Sequence, residues 1–217
     1  AAITMKNIIN SKSNLRTSLA FTNSESSLSV DSVFKNSGDF HFFGGAYTEN
    51  KLIATTQYKY RFNPRNRIIM GASYIHSFVN FADSSKYQNQ YFYITKNIGN
   101  YGLAQFNSQF LHSINEKIEL TLGVFNQYSL LSNSLSVEPR AAIKYSPNQN
   151  STISLAYGLH SQTQPGNIYF YQTMTDSTNQ TYKPTNVDLD FSKSHHFVLG
   201  YNVNFRRNFN LKTDVYY

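Results

Sequence analysis

The chain has 217 residues, no cysteine, no tryptophan, 17 tyrosines and 17 phenylalanines, with charged residues at only 14% and a formal net charge of +7. Asn and Ser together fill 51 positions, taking the place of the Ala, Leu, Glu and Lys that helices favour. No apolar run approaches the ~18 residues of a membrane-spanning helix, the aromatic content argues against disorder, and the lack of cysteine removes disulfide frameworks, thiolate metal sites and Cys nucleophiles.

The opening AAITMKNIIN lacks the charged and apolar regions of a signal peptide, so an export signal is expected to lie upstream or to have been removed. From there the chain reads as ten segments in which apolar and small or polar residues alternate. They run from 1 to 8, 14 to 22, 51 to 62, 67 to 81, 101 to 113, 117 to 130, 135 to 146, 151 to 161, 194 to 205 and 209 to 217. The clearest places Phe197, Leu199, Tyr201, Val203 and Phe205 on one face and His196, Val198, Gly200, Asn202 and Asn204 on the other. A second sets Ile153, Leu155, Tyr157 and Leu159 against Thr152, Ser154, Ala156 and Gly158. Most segments pass the ~9 to 11 residues of a tilted membrane-spanning strand.

The connections also alternate. Short turns are expected at 10–13, 63–66, 115–116, 147–150 and 206–208, and long links at 23–50, 82–100 and 162–193, with a short exception at 132–134. Antiparallel strands put every second connection on one side, so one end carries tight turns and the other loops, as in an outer-membrane barrel. Twelve basic residues, among them Lys12, Arg61, Arg65, Arg67, Lys117 and Lys144, lie in or beside the short turns, whereas eight acidic ones lie in the long links. A basic rim facing anionic lipid headgroups accounts for the positive charge without nucleic acid. Tyr58, Tyr60, Phe62, Phe78, Phe81, Tyr145, Tyr157, Tyr201, Phe205 and Tyr217 fall near strand ends, where barrels carry interfacial girdles.

Four stretches, Val137-Glu138-Pro139-Arg140-Ala141-Ala142-Ile143-Lys144-Tyr145, Ser154 to Gln162, Ser194 to Tyr201, and Leu211 to Tyr217, resemble the barrel of TonB-dependent receptors of the Bacteroidetes type. The resemblance implies active uptake of a ligand such as a siderophore, glycan or peptide across the outer membrane, with a plug domain rearranged by the TonB complex. No plug and no TonB-contact segment is recognisable in these residues. With short turns on the periplasmic side, both termini fall on the extracellular side. The chain is therefore expected to be all-β, a single-domain fragment spanning 1–217 of an antiparallel transmembrane β-barrel, with about ten meandering strands out of about 22. Its partners would be outer-membrane lipid, the remaining strands and the plug. The alternatives are a complete ten-stranded outer-membrane protein acting as protease, adhesin or lipid-modifying enzyme, and a soluble β-sandwich binding module.

Chemistry is sparse. His195 and His196 are adjacent on a strand and point to opposite faces, so they cannot share a metal there, and no catalytic residue, metal site or cofactor is assigned. A hydrolytic arrangement would need His160 and His195 at neighbouring strand ends with Asp188 or Asp190. Glu138, Arg140 and Lys144 lie opposite the apolar face of their strand and are assigned to lumen or plug contact. Pro139, unable to donate within a ladder, predicts a bulge or local break. Tyr169, Phe170 and Tyr171 are the ligand-binding candidates, with packing of their loop onto itself as the alternative.

Overall fold

In the computed structural model, residues 1–34, 38–87, 90–176, 178, 181–206 and 209–217 are described. Ten strands form one antiparallel sheet: β1 (Ala2–Asn10), β2 (Ser13–Phe34), β3 (Gly38–Asn63), β4 (Asn66–Tyr87), β5 (Gln90–Ser113), β6 (Ile118–Ser129), β7 (Ser134–Asn148), β8 (Ser151–Gln162), β11 (Ser192–Arg206) and β12 (Phe209–Tyr216). The link from β8 to β11 holds a four-residue helix, α1 (Gly166–Tyr169), and a small hairpin of β9 (Gln172–Asp176) with β10 (Thr181–Pro184). Each strand of the large sheet pairs with its neighbour in sequence, apart from the detour between β8 and β11. Among the described residues β1 pairs only with β2 and β12 only with β11, so the sheet is open.

All ten expected strands are present, and the turn-side ends of β1 to β8 are set by one local device; of the short turn expected at 206–208, residues 207 and 208 lie outside the described residues. Asn10, Asn63, Asn115 and Asn148 each accept, through Oδ1, the backbone N–H two residues on, from Lys12, Arg65, Lys117 and Asn150, at 2.8 to 2.9 Å. Such Asx turns reverse the chain within a few residues and leave the basic side chains clustered at that edge.

The opposite ends differ from the sequence expectation. The links 23–50 and 82–100 were expected as loops, yet their described residues continue β2, β3, β4 and β5 as strands of 22 to 26 residues. At ~3.4 Å per residue these span about 75 to 90 Å, well beyond the ~30 Å thickness of a bilayer core. Apolar alternation is sparser there, carried by Leu28, Val30, Phe42, Phe92, Ile94 and Ile98, and the order comes from the ladders. Register shifts at Val30/Asp31 and Asp83/Ser84 mark that upper part.

Burial is inverted relative to a soluble sheet. Leu155 is 53% exposed and Leu199 52%, whereas Glu138 is 1% exposed. Ile3, Leu19, Leu52, Phe106, Leu122, Val137 and Ile143 are likewise exposed, while Ser77, Asn97, Gln127, Ser129 and Ser136 are buried. Cross-strand pairs share a face, and the ladders place Leu155 opposite Leu199 and Leu199 opposite Val215 on the apolar side. No second sheet covers them among the described residues. The small apolar core, Val79, Phe81, Tyr169 and Phe191, lies instead on the polar side and at the loop end.

Candidate functional site

The polar face is built from the register. Gln105 on β5 stands opposite Gln127 on β6, and Phe125 stands opposite Glu138 on β7. Gln105 donates through Nε2 to Gln127 Oε1 at 2.9 Å. Gln127 in turn donates to Glu138 Oε1 at 2.8 Å and to the carbonyl oxygen of Ser161 at 2.9 Å. Ser161 donates its hydroxyl to Glu138 Oε1, and Arg140 Nη2 closes the network on Glu138 Oε2 at 2.8 Å. A buried carboxylate is tolerable only with such a set of donors and an opposite charge.

This knot sits where two strands part. The β7–β8 ladder runs from Asn148 paired with Ser151 up to Arg140 paired with Gly158 and ends there, one residue after Pro139. On the other side β6 and β7 stay in unbroken register through Val124 opposite Pro139. The expected bulge at Pro139 is thus absent from the β6 ladder, and the break falls on the β8 side, where a residue without an N–H costs no ladder bond. Glu138 and its partners fill the opening with side-chain hydrogen bonds.

The assigned polar residues separate into distinct environments. Arg140 lies 4.8 Å from the centre of the Phe125 ring, in addition to its pair with Glu138. Lys144 is exposed on the same face, opposite Glu119, toward the turn side. His160 and His196 come together on the polar face with ring centres 4.8 Å apart. His195 points to the other face, where Nδ1 lies 3.0 Å from Tyr157 Oη, so the arrangement of His160 with His195 is not formed. Asp190 accepts from the backbone N–H of Phe191.

The second feature is an aromatic cradle at the loop end. α1 crosses from β8 to the polar face of β4 and β5, where Tyr169 is 1% exposed. Its ring lies 6.0 Å from that of Tyr101, and its Oη accepts the Gln164 backbone N–H at 3.2 Å. Phe170 is half-buried against Gly99, 6.3 Å from the Tyr101 ring, and Tyr171 is exposed. Tyr101 donates to Glu49 Oε1 at 3.2 Å, and Glu49 is also paired with Lys51 at 2.9 Å. Above them Tyr47 packs 6.4 Å from Phe81, and burial, then the Glu49 carboxylate, raise the Tyr47 phenol above its ordinary value. Of the three aromatic candidates, Tyr169 is occupied in packing, Phe170 is half-buried and Tyr171 is exposed. The sequence held one clue to this cradle: Ile75, Val79 and Phe81 put bulky apolar residues on the same face as Gly71, Ser73 and Ser77.

No protein-family model matches the sequence, and no curated protein does. Solved structures do match. The RagAB peptide transporter aligns with 98% of this chain and 28% of its own at a TM-score of 0.67 and 16% identity. The siderophore receptor PiuA from Acinetobacter baumannii aligns with 99% of this chain and 39% of its own at 0.66 and 13%. The complex of FpvAI with pyocin S2 aligns over 99% and 31% at 0.66 and 11%. These neighbours are TonB-dependent outer-membrane receptors and transporters, and at such identities the likeness is one of fold. The sheet has the fold of part of a TonB-dependent receptor barrel, and the chain spans 28 to 39% of the length of these three neighbours.

Proposed function

We propose that this chain forms part of the barrel wall of a TonB-dependent receptor of the Bacteroidetes type in the outer membrane, and takes part in active uptake without covalent chemistry of its own. The inverted burial carries the reading. A sheet that exposes Leu155 and Leu199 while burying Glu138 and Gln127 suits a wall with hydrocarbon outside and a plug or water inside. The basic, Asx-turned edge then faces the periplasmic headgroups, and the long hairpins stand outside the cell.

In this reading Glu138, Arg140 and Lys144 line the lumen, and the first two brace it toward a plug. Tyr171 and the free edge of Phe170 are the ligand contacts at the extracellular mouth, with Tyr169 as their anchor. The plug, the remaining strands and the TonB complex are the partners, and the ligand belongs to the siderophore, glycan or peptide class.

These 217 residues contain no cysteine, so once any cysteine elsewhere in the full-length protein is replaced by serine, single substitutions report each face cleanly. In full-length protein in outer-membrane vesicles, Leu199→Cys should react only with a lipid-soluble maleimide, and Asn202→Cys with a water-soluble one. Energy-dependent ligand uptake should disappear when β6 to β8 are deleted. Recovery of the protein in the soluble fraction, with both cysteines protected from either reagent, would sink the proposal.

A further inference from the structure

Below the Glu138 knot the polar face is hollow. Gly123, Ala142, Ala156 and Gly158 present almost no side chain there, leaving a cavity of about 220 Å³ that Arg140, His160 and His196 overlook. A second hollow of about 430 Å³ adjoins it, sharing His160 and His196 and adding Ser161, Lys193 and Ser194. Among the described residues neither is lined by a carboxylate. Acids on the same face are engaged already, Glu138 by Arg140, Asp214 by Lys212 at 3.2 Å and Glu119 by Arg67 at 3.9 Å.

The basic groups are held in place. His160 lies across Gly158, where a Cβ would meet its Nε2 at 2.7 Å, so glycine there is what lets the ring lie flat on the wall. His196 Nε2 is 2.8 Å from Ser194 Oγ, which fixes that ring. Arg140 is clamped between Glu138 and the Phe125 face; Glu138 takes one Nη2 hydrogen and Nε is buried, which leaves Nη1 and the other Nη2 hydrogen as the donors of its outer edge.

We propose that this hollow is a carboxylate site, with Arg140 as the charged donor and His160 and His196 as flanking donors. A planar anion with two acceptor oxygens matches a guanidinium edge flanked by imidazoles. The carboxylate comes either from a soluble ligand in the lumen or from an acidic side chain of a plug. The site rests on the reading of the polar face as the barrel lumen.

The test uses full-length protein in micelles with isotope-labelled histidine, titrated with sodium acetate against sodium chloride at equal ionic strength. His160 and His196 are assigned through H160Q and H196Q. A saturable shift of both signals with acetate alone, weakened about tenfold or more by Arg140→Met and by Gly158→Ala, supports a soluble carboxylate. No shift with acetate, together with a density map showing a carboxylate of the same protein within hydrogen-bond distance of Arg140, supports the plug source. Heat-modifiable gel migration confirms that each variant has folded. Finding neither, in protein that still takes up its ligand, overturns the site and leaves the receptor reading standing.

Discussion

The Phe170 ring rests directly on Gly99: a Cβ built on that glycine would come within 2.5 to 2.6 Å of three ring atoms. This contact, with Tyr169 beside Tyr101, ties the link after β8 to a strand three positions away in the sheet. Gly99→Val should expel the aromatic pair from the cradle and leave the ladders intact. Hydrogen exchange and limited proteolysis should then rise sharply across 163–171 and stay unchanged in β6 to β8.

Glu138 should be the costliest single polar residue to remove. Glu138→Ala strands Gln127, Ser161 and the part-exposed Arg140 around a void, and leaving such donors unsatisfied costs about 1 to 3 kcal/mol. Glu138→Gln retains shape and some hydrogen bonding and should cost clearly less. Denaturant unfolding in micelles, compared at equal slope, measures both.

Ser136 gives the opposite expectation. Its Oγ is buried without a hydrogen-bond partner, one residue pair from the knot. Removing an unsatisfied hydroxyl relieves a desolvation penalty of about 1 to 3 kcal/mol and leaves only a small void. Ser136→Ala should therefore be neutral or stabilising in the same unfolding measurement.

The two faces of β11 should respond oppositely to one substitution. Leu199→Arg places a charge toward hydrocarbon near mid-strand and should cost about 2 to 4 kcal/mol. Asn202→Arg lies on the polar face, opposite Thr152 on β8 and Lys212 on β12, and should cost less than about 1 kcal/mol. Unfolding in lipid vesicles separates these outcomes, and equal costs would contradict the assignment of faces.

Strands and faces were legible because period-two alternation is local, as in Phe197 to Phe205, and Asn-led turns close within a few residues. The upper halves of β2 to β5 were not, since Ser, Gly and Asn there carry little apolar rhythm and their order comes from the partner strand. For the site, Glu138 and Arg140 stood out as charges opposite an apolar face. Their partners Gln127 and Ser161 lie 11 and 23 residues from Glu138, and only the register joins them. The meeting of His160 with His196 rather than His195 likewise turned on which face each strand presents at its end.

If the sheet is the barrel wall proposed above, its near-perfect meander has a consequence for how such a wall is put into a membrane. Every added hairpin covers the raw edge of the one before it, so a growing sheet exposes two unpaired borders whether it has four strands or ten. The backbone cost of an unfinished wall in hydrocarbon therefore stays constant while the outward apolar surface grows with each strand. On that reading each further hairpin makes insertion more favourable, and the unpaired borders stay at the outer edges of β1 and β12.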